Sequence, residues 1–224
     1  GKFEDHSHTL LPDLATLGMV TDAAWLDMDK DGWQDLVVVG DWMPISVFLN
    51  NKGKSLINQT KQYFDKPIVG KWSKLTSGDF DGDGDLDFVV GNFGTNSQLK
   101  ADDESPLALI YADFDGNGSV DPILNNYVGG ELVPFMSRDE LLDQMYGMRS
   151  KFTDYASFSN AKLTDLFSKS DLEKAQKVEL NELKTIYLEN KGTSFGRHDL
   201  PVEAQFAPVY GIGVMDFDED GNLD

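Results

Sequence analysis

The sequence predicts an all-β fold of repeated antiparallel units, interrupted by one small α-helical insertion. Three observations predict it. An acidic nonapeptide recurs four times, as DMDKDGWQD (Asp27 to Asp35), DFDGDGDLD (Asp79 to Asp87), DFDGNGSVD (Asp113 to Asp121) and DFDEDGNLD (Asp216 to Asp224). The first three copies run into short apolar segments, LVVVG from Leu36, FVVG from Phe88 and PILN from Pro122, whose β-branched content and closing Gly or Asn suit strands. Helical spacing of apolar residues is confined to residues 137–182.

The nonapeptides carry the chemistry. Positions 1, 3 and 9 are always Asp: Asp27, Asp29 and Asp35; Asp79, Asp81 and Asp87; Asp113, Asp115 and Asp121; Asp216, Asp218 and Asp224. Position 5 is Asp31, Asp83, Asn117 or Asp220, and position 6 is Gly throughout. Alternating oxygen-bearing side chains on a tightly turning backbone converge on one point, and Gly permits the sharp turn. Carboxylates so crowded repel one another unless a cation sits between them. A hard divalent ion with six to eight oxygen ligands, calcium, fits best, with the position 7 carbonyls of Trp33, Asp85, Ser119 and Asn222 completing each shell. Up to four calcium ions, all structural, are expected.

An EF-hand would need a Glu at position 12 and flanking helices, whereas that position holds Val38, Val90 or Leu124. Thrombospondin-type calcium repeats are stapled by disulfides, and this chain has no cysteine. A second repeat supplies the remaining strands. VFLNNKGKSL (Val47 to Leu56) and IYLENKGTSF (Ile186 to Phe195) each read as strand, N-K-G turn and the opening of another strand. Gly1-Lys2-Phe3 lies at the same spacing before the first loop and reads as the tail of one more such turn. The unit is therefore strand, calcium loop, strand, strand, turn, strand, at a period that fits a β-propeller blade.

In these residues, and in GMV from Gly18, GDWMP from Gly40 and GNFGTN from Gly91, the chain resembles FG-GAP/VCBS-type repeat proteins, whose propeller blades carry such loops as in integrin α-subunit heads. It is more closely similar to bacterial surface and secreted relatives of cartilage acidic protein. The resemblance implies a calcium-stabilised propeller outside the cytoplasm, and neither one ligand nor one reaction. The literal FG…GAP signature is degenerate here, so no integrin-like ligand role is carried over.

Length divides the expected architecture. A closed seven-bladed propeller needs roughly 350 residues, and this chain has 224. About three blades plus partial blades are expected: blades over 1–136, a helical insertion over 137–182, and a continuing blade over 183–224 that reaches only the fourth loop. The chain is thus expected to be part of a larger propeller, the alternative being a small open β-solenoid. Ser137-Arg138-Asp139-Glu140 and Ser170-Asp171-Leu172-Glu173 have capping-box form. Leu141, Leu142, Met145 and Met148, then Leu163, Leu166 and Phe167, fall at helical spacing and read as core.

Charge narrows the function. The net charge is −20, yet residues 137–191 hold 9 Lys or Arg against 10 Asp or Glu, so the acidity resides in the blades and mostly in the loops. Nucleic acid and anionic membranes call for basic patches and are excluded as partners. No apolar run is long enough to span a membrane. Loops of this type fill at about 10⁻⁴ to 10⁻³ M calcium, which points to an extracellular, cell-surface or periplasmic home. The expected function is a rigid surface platform for a protein or glycan ligand. Trp25 and Trp72 are expected in the core, whereas Trp33 and Trp42 are placed for exposure and for stacking on a sugar or peptide. The alternative is a carbohydrate-active enzyme, a polysaccharide lyase or glycoside hydrolase on the same propeller. His6, His8 and His198 form no recognisable catalytic pattern, and a uronate lyase would need cations where Arg138, Arg149 and Arg197 are the only arginines.

Overall fold

The computed structural model describes residue 2 and residues 4–224. Gly1 and Phe3, two of the three residues read above as the end of an earlier turn, lie outside the described residues. The chain is mostly β, with strands β1 (Met19–Leu26), β2 (Asp35–Pro44), β3 (Ser46–Asn50), β4 (Leu56–Asn58), β5 (Val69–Lys71), β6 (Lys74–Gly78), β7 (Asp87–Gly91), β8 (Leu107–Ala112), β9 (Asp121–Val128), β10 (Glu131–Pro134), β11 (Gln176–Leu180), β12 (Ile186–Asn190) and β13 (Phe195–Asp199). Two compact units divide it, residues 1–97 with 182–224, and residues 98–181.

The first unit holds two four-stranded antiparallel meanders. β1-β2-β3-β4 form one, with β5 added to the far end of β2, and β6-β7-β12-β13 form the other. Both have the order expected of a blade: strand, acidic loop, strand, strand, N-K-G turn, strand. The second meander is split in sequence, because the whole of the other unit lies between β7 and β12. The pairing of Ile186 with Val90 and of Leu188 with Phe88 closes it.

The apolar run of β2 explains its place. Leu36, Val37, Val38 and Val39 are all buried, as suits a central strand covered on both faces. Val37 and Val39 join Leu26, Val47, Leu75, Phe88, Val90, Ile186 and Leu188 in one core shared by the two meanders. Leu36, Val38 and Phe48 face the other way and are covered by Leu11 and Leu17, beyond the short helix α1 (Ser7–Leu10). Another short helix, α2 (Thr60–Tyr63), brings Tyr63 into the shared core. Gly40 lets β1 approach closely, since a Cβ there would stand 2.2 Å from the Met19 carbonyl oxygen.

Trp72 is buried, but Trp25 is 59% exposed, contrary to the expectation for it. The period of two explains the difference. Ala24 and Leu26 take the inward positions of β1, so Trp25 falls on the outward face beside Leu36, on a strand that pairs, among the described residues, with β2 alone.

The second unit contains the sheet β10-β9-β8-β11. Its order differs from a blade, because β11 pairs with the outer edge of β8 rather than continuing from β10. The helices α3 (Arg138–Gln144), α4 (Tyr155–Phe158), α5 (Leu163–Leu166) and α6 (Lys169–Lys174) belong to this same unit. The helical segment expected at 137–182 is therefore the inner part of a wider unit that begins at Gln98. Leu141, Met145, Leu163, Leu166 and Phe167 pack with Ile110 and Ile123 of the sheet, while Met148 packs at the margin of the same core. Ser137 and Glu140 form the expected capping box on α3. On α6 the cap is Ser168, accepting from the Asp171 amide, and not Ser170. Ser168 has the extended backbone of an N-cap, and Ser170 already lies inside the helix.

Candidate metal centres

All four acidic nonapeptides fold alike, and their own side chains fix the turn. The position 1 carboxylate accepts from the position 6 glycine amide in each: Gly32 to Asp27 at 2.9 Å, Gly84 to Asp79 at 3.1 Å, Gly118 to Asp113 at 2.9 Å and Gly221 to Asp216 at 2.9 Å. The position 5 side chain accepts from the position 7 amide, at Asp31, Asp83, Asn117 and Asp220. Gly32, Gly84, Gly118 and Gly221 all have φ between +88° and +94°, where a side chain would be strained. Position 4 is also left-handed in every copy, with Gly82 and Gly116 in two and Lys30 and Glu219 in the others. The mixture of residue types hid that regularity in the sequence.

Carboxylate oxygens converge in each loop. Asp27, Asp29 and Asp35; Asp113, Asp115 and Asp121; and Asp216, Asp218 and Asp224 each bring oxygens within 4.8 Å of one another, at positions 1, 3 and 9. In the second loop the convergent set is Asp79, Asp81 and Asp83, at positions 1, 3 and 5. Asp87 is not in that set, nor are Asp31 and Asp220 in theirs. The donors are all hard oxygens, the chemistry that a calcium or magnesium ion selects.

Position 9 has a second task that sequence reasoning missed. Asp35, Asp87 and Asp121 are buried, unlike the exposed or half-buried carboxylates around them. One oxygen of each accepts from the position 2 amide, of Met28, Phe80 and Phe114 respectively, and Asp224 accepts from Phe217 in the same way. In both meanders the other oxygen reaches the neighbouring turn. Asp35 accepts from the Asn50 amide at 2.7 Å, and Asp87 from the Asn190 amide at 2.8 Å. Each asparagine answers with its side chain, donating to the carbonyl of Gln34 or Leu86 and accepting from the turn glycine, Gly53 or Gly192. Acidic loop and N-K-G turn are thus tied together at one end of each blade. Asn190 belongs to its N-K-G, but the equivalent residue in the first blade is Asn50, one before its N-K-G, because that turn is one residue longer. Trp33, exposed as expected, packs on Gly53, where a Cβ would come within 2.7 Å of the ring.

The electrostatics reflect crowded charge. Burial pushes the Asp35 carboxyl up, against the Asn50 and Met28 amides that pull it down, and the Asp29 and Asp31 charges add to the rise. The Asp83 amide lowers Asp81, but desolvation and the charges of Asp83, Asp87 and Asp79 outweigh it. A shared hydrogen bond raises Asp85 and lowers Asp83. Burial, then the hydrogen bond it donates to Asp87 at 2.8 Å, pushes the Tyr187 phenol up.

The raised carboxyls set opposite pH dependences with and without metal. Without metal, groups raised above the ordinary 3.8 contribute stability below their unfolded value and lose it as pH rises through the folded one. A cation held by these loops would need the ionised forms, so a metal-loaded protein would lose stability as pH falls through the same range. Thermal melts from about pH 7 down to about pH 4 should show the gap between calcium and chelator narrowing as the pH approaches the ordinary aspartate value from above. A gap independent of pH would contradict this.

Residues 27–90 match the FG-GAP-like repeat, in keeping with the antiparallel strands and acidic loops of that stretch. The matched stretch opens on the first acidic loop, after β1, and ends in β7, so it runs from the first loop through β2 to β6 and the second loop. Repeats of this kind build β-propeller-like binding modules and are typically extracellular. No curated protein matches the chain significantly. Among the described residues no helix is long and apolar enough to cross a membrane.

Proposed function

We propose that the chain is a calcium-stabilised, exported β-propeller module that presents a protein- or glycan-binding surface, with up to four calcium ions held structurally. The observation that carries this reading is the fourfold convergence of three carboxylates on loops whose backbones are fixed alike. Asp27, Asp79, Asp113 and Asp216 and their loop partners would hold the ions. Bound calcium would supply charge neutralisation that lets each loop stay folded, and the position 9 aspartates transmit that order to the turns through Asn50 and Asn190. Sites of this class fill at about 10⁻⁴ to 10⁻³ M, which favours an extracellular, cell-surface or periplasmic setting. The partner would be a surface protein or glycan, and a bacterial origin fits the resemblance.

The enzymatic alternative has less to draw on. Arg138 is engaged by Asp139 and the Phe152 and Thr153 carbonyls, Arg149 by Asp143, and Arg197 by Glu182 and Asp199. His198 pairs with Glu189 at 2.9 Å on the surface. The deciding experiment is a screen of immobilised glycans and surface proteins in calcium and in chelator, beside assays on acidic polysaccharides at fixed calcium. Calcium-dependent retention without turnover supports the binding module. Turnover of a polysaccharide would replace it with the enzyme.

A further inference from the structure

The third acidic loop departs from the others at position 5. Asp31, Asp83 and Asp220 fill that position elsewhere, and here it is Asn117. Glycine follows, which makes Asn117-Gly118 the one Asn-Gly pair of the sequence. Asn117, Gly118 and Ser119 are all exposed, and open space lies where a Cβ of Gly118 would stand. A glycine leaves its own backbone nitrogen unhindered and free to turn, as attack by that nitrogen on the preceding side-chain amide requires.

The folded loop holds this reaction back. The Gly118 amide donates to Asp113 at 2.9 Å, and the Asn117 side-chain oxygen accepts from the Ser119 amide at 2.7 Å. The Asn117 amide donates in turn to Asp113 and Asp115, at 3.0 and 3.1 Å. Attack needs the Gly118 nitrogen to leave Asp113 and the Asn117 side chain to leave Ser119, so the reactive geometry belongs to an opened loop. Opening is favoured in the unfilled loop by repulsion among Asp113, Asp115 and Asp121, whose oxygens lie within 4.8 Å of one another.

We infer that Asn117 is a site of spontaneous deamidation, closed while its loop holds a cation and open when the loop is empty. The gating rests on the calcium reading of this loop, whereas the chemistry at Asn117 does not. The Gly118 nitrogen gives its proton to solvent and forms a bond to Asn117 Cγ, the Cγ–Nδ2 bond breaks, and ammonia leaves a cyclic imide. Water then opens the imide. Opening at Cγ restores the main chain and leaves aspartate at position 117, whereas opening at the main-chain carbonyl leaves an isoaspartyl linkage with one more backbone carbon. The first product gives the loop the position 5 carboxylate of its three counterparts, and added ligand charge strengthens calcium sites. The second lengthens the turn between positions 5 and 7, where the Asn117 to Ser119 hydrogen bond now closes it.

The test is incubation of the full chain at mildly alkaline pH in calcium and in chelator, with peptide mapping by mass to locate and time each conversion. Asn160, exposed and followed by alanine, serves as the internal reference. Conversion in chelator should concentrate at Asn117, and calcium at about ten times the dissociation constant should slow it about tenfold, by depleting the open loop. Asn117→Asp should show a larger calcium-dependent rise in melting temperature than the parent. The inference is overturned if Asn117 converts no faster than Asn160 in chelator, or if the variant's rise is no larger. Calorimetry on the same samples separates the remaining failures. Equal rates in a chain that binds calcium overturn the gating alone, and equal rates in a chain that binds none overturn the calcium reading with it.

Discussion

Stripping divalent cations should lower the melting temperature by roughly 10–20 °C. A site occupied about tenfold above its dissociation constant adds ~1.4 kcal/mol to the folded state, and up to four sites add about 5–6 kcal/mol. For a chain of this size each kcal/mol moves the midpoint by about 2–4 °C. The physical source is repulsion within each loop, where three carboxylates lie within 4.8 Å of one another. Melts in millimolar calcium and in excess chelator check the result. Magnesium should give a smaller shift, because its rigid octahedral demand and reluctant dehydration suit these loops less well. Superimposable curves in calcium and chelator would show that the loops are turns held only by their own hydrogen bonds.

Asp87→Ala should cost about 3–5 kcal/mol, more than the loss of any one exposed loop carboxylate. Its oxygens accept from the Phe80 amide at 3.2 Å, the Asn190 amide at 2.8 Å and the Tyr187 hydroxyl at 2.8 Å, all around a carboxylate with no exposed surface. Alanine leaves those donors unpaired inside the blade, which is the expensive way to lose a buried ionic group. Asp87→Asn keeps the shape and one acceptor oxygen and should cost less than half as much. Urea denaturation in calcium and in chelator separates the two tasks of the residue. A tie between loop and turn predicts that most of the loss persists in chelator. A loss seen only in calcium would mean that Asp87 acts as a metal ligand alone.

The local features of the fold were legible because they are written locally. Repeated D-x-D-x-D-G marked four loops, the β-branched runs after three of them became β2, β7 and β9, and the apolar spacing over Leu141, Met145, Leu163 and Leu166 became a helical core. What depends on distant pairing was hidden. The third loop looks like the others, yet it joins β8 to β9 in the second unit, and the second meander is completed by β12 from beyond that unit. A nonapeptide carries no record of which strand will lie beside it. Trp25 was misplaced because its neighbours Ala24 and Leu26, not the tryptophan, fit the inward side of β1. The tie through Asn50 and Asn190 is not legible in the sequence, because aligning the two turns on N-K-G sets Asn51, not Asn50, against Asn190. Only the register shows the extra residue: Asn50 pairs with Leu56, whereas Asn190 pairs with Phe195.

The most direct measurement is a calorimetric calcium titration of chelator-stripped protein, read for stoichiometry. Close to four sites, with dissociation constants of about 10⁻⁴ to 10⁻³ M, is the predicted result, one for each of the loops at Asp27, Asp79, Asp113 and Asp216. A folded protein that takes up no calcium would contradict the account, leaving four acidic turns and no metal to organise the blades.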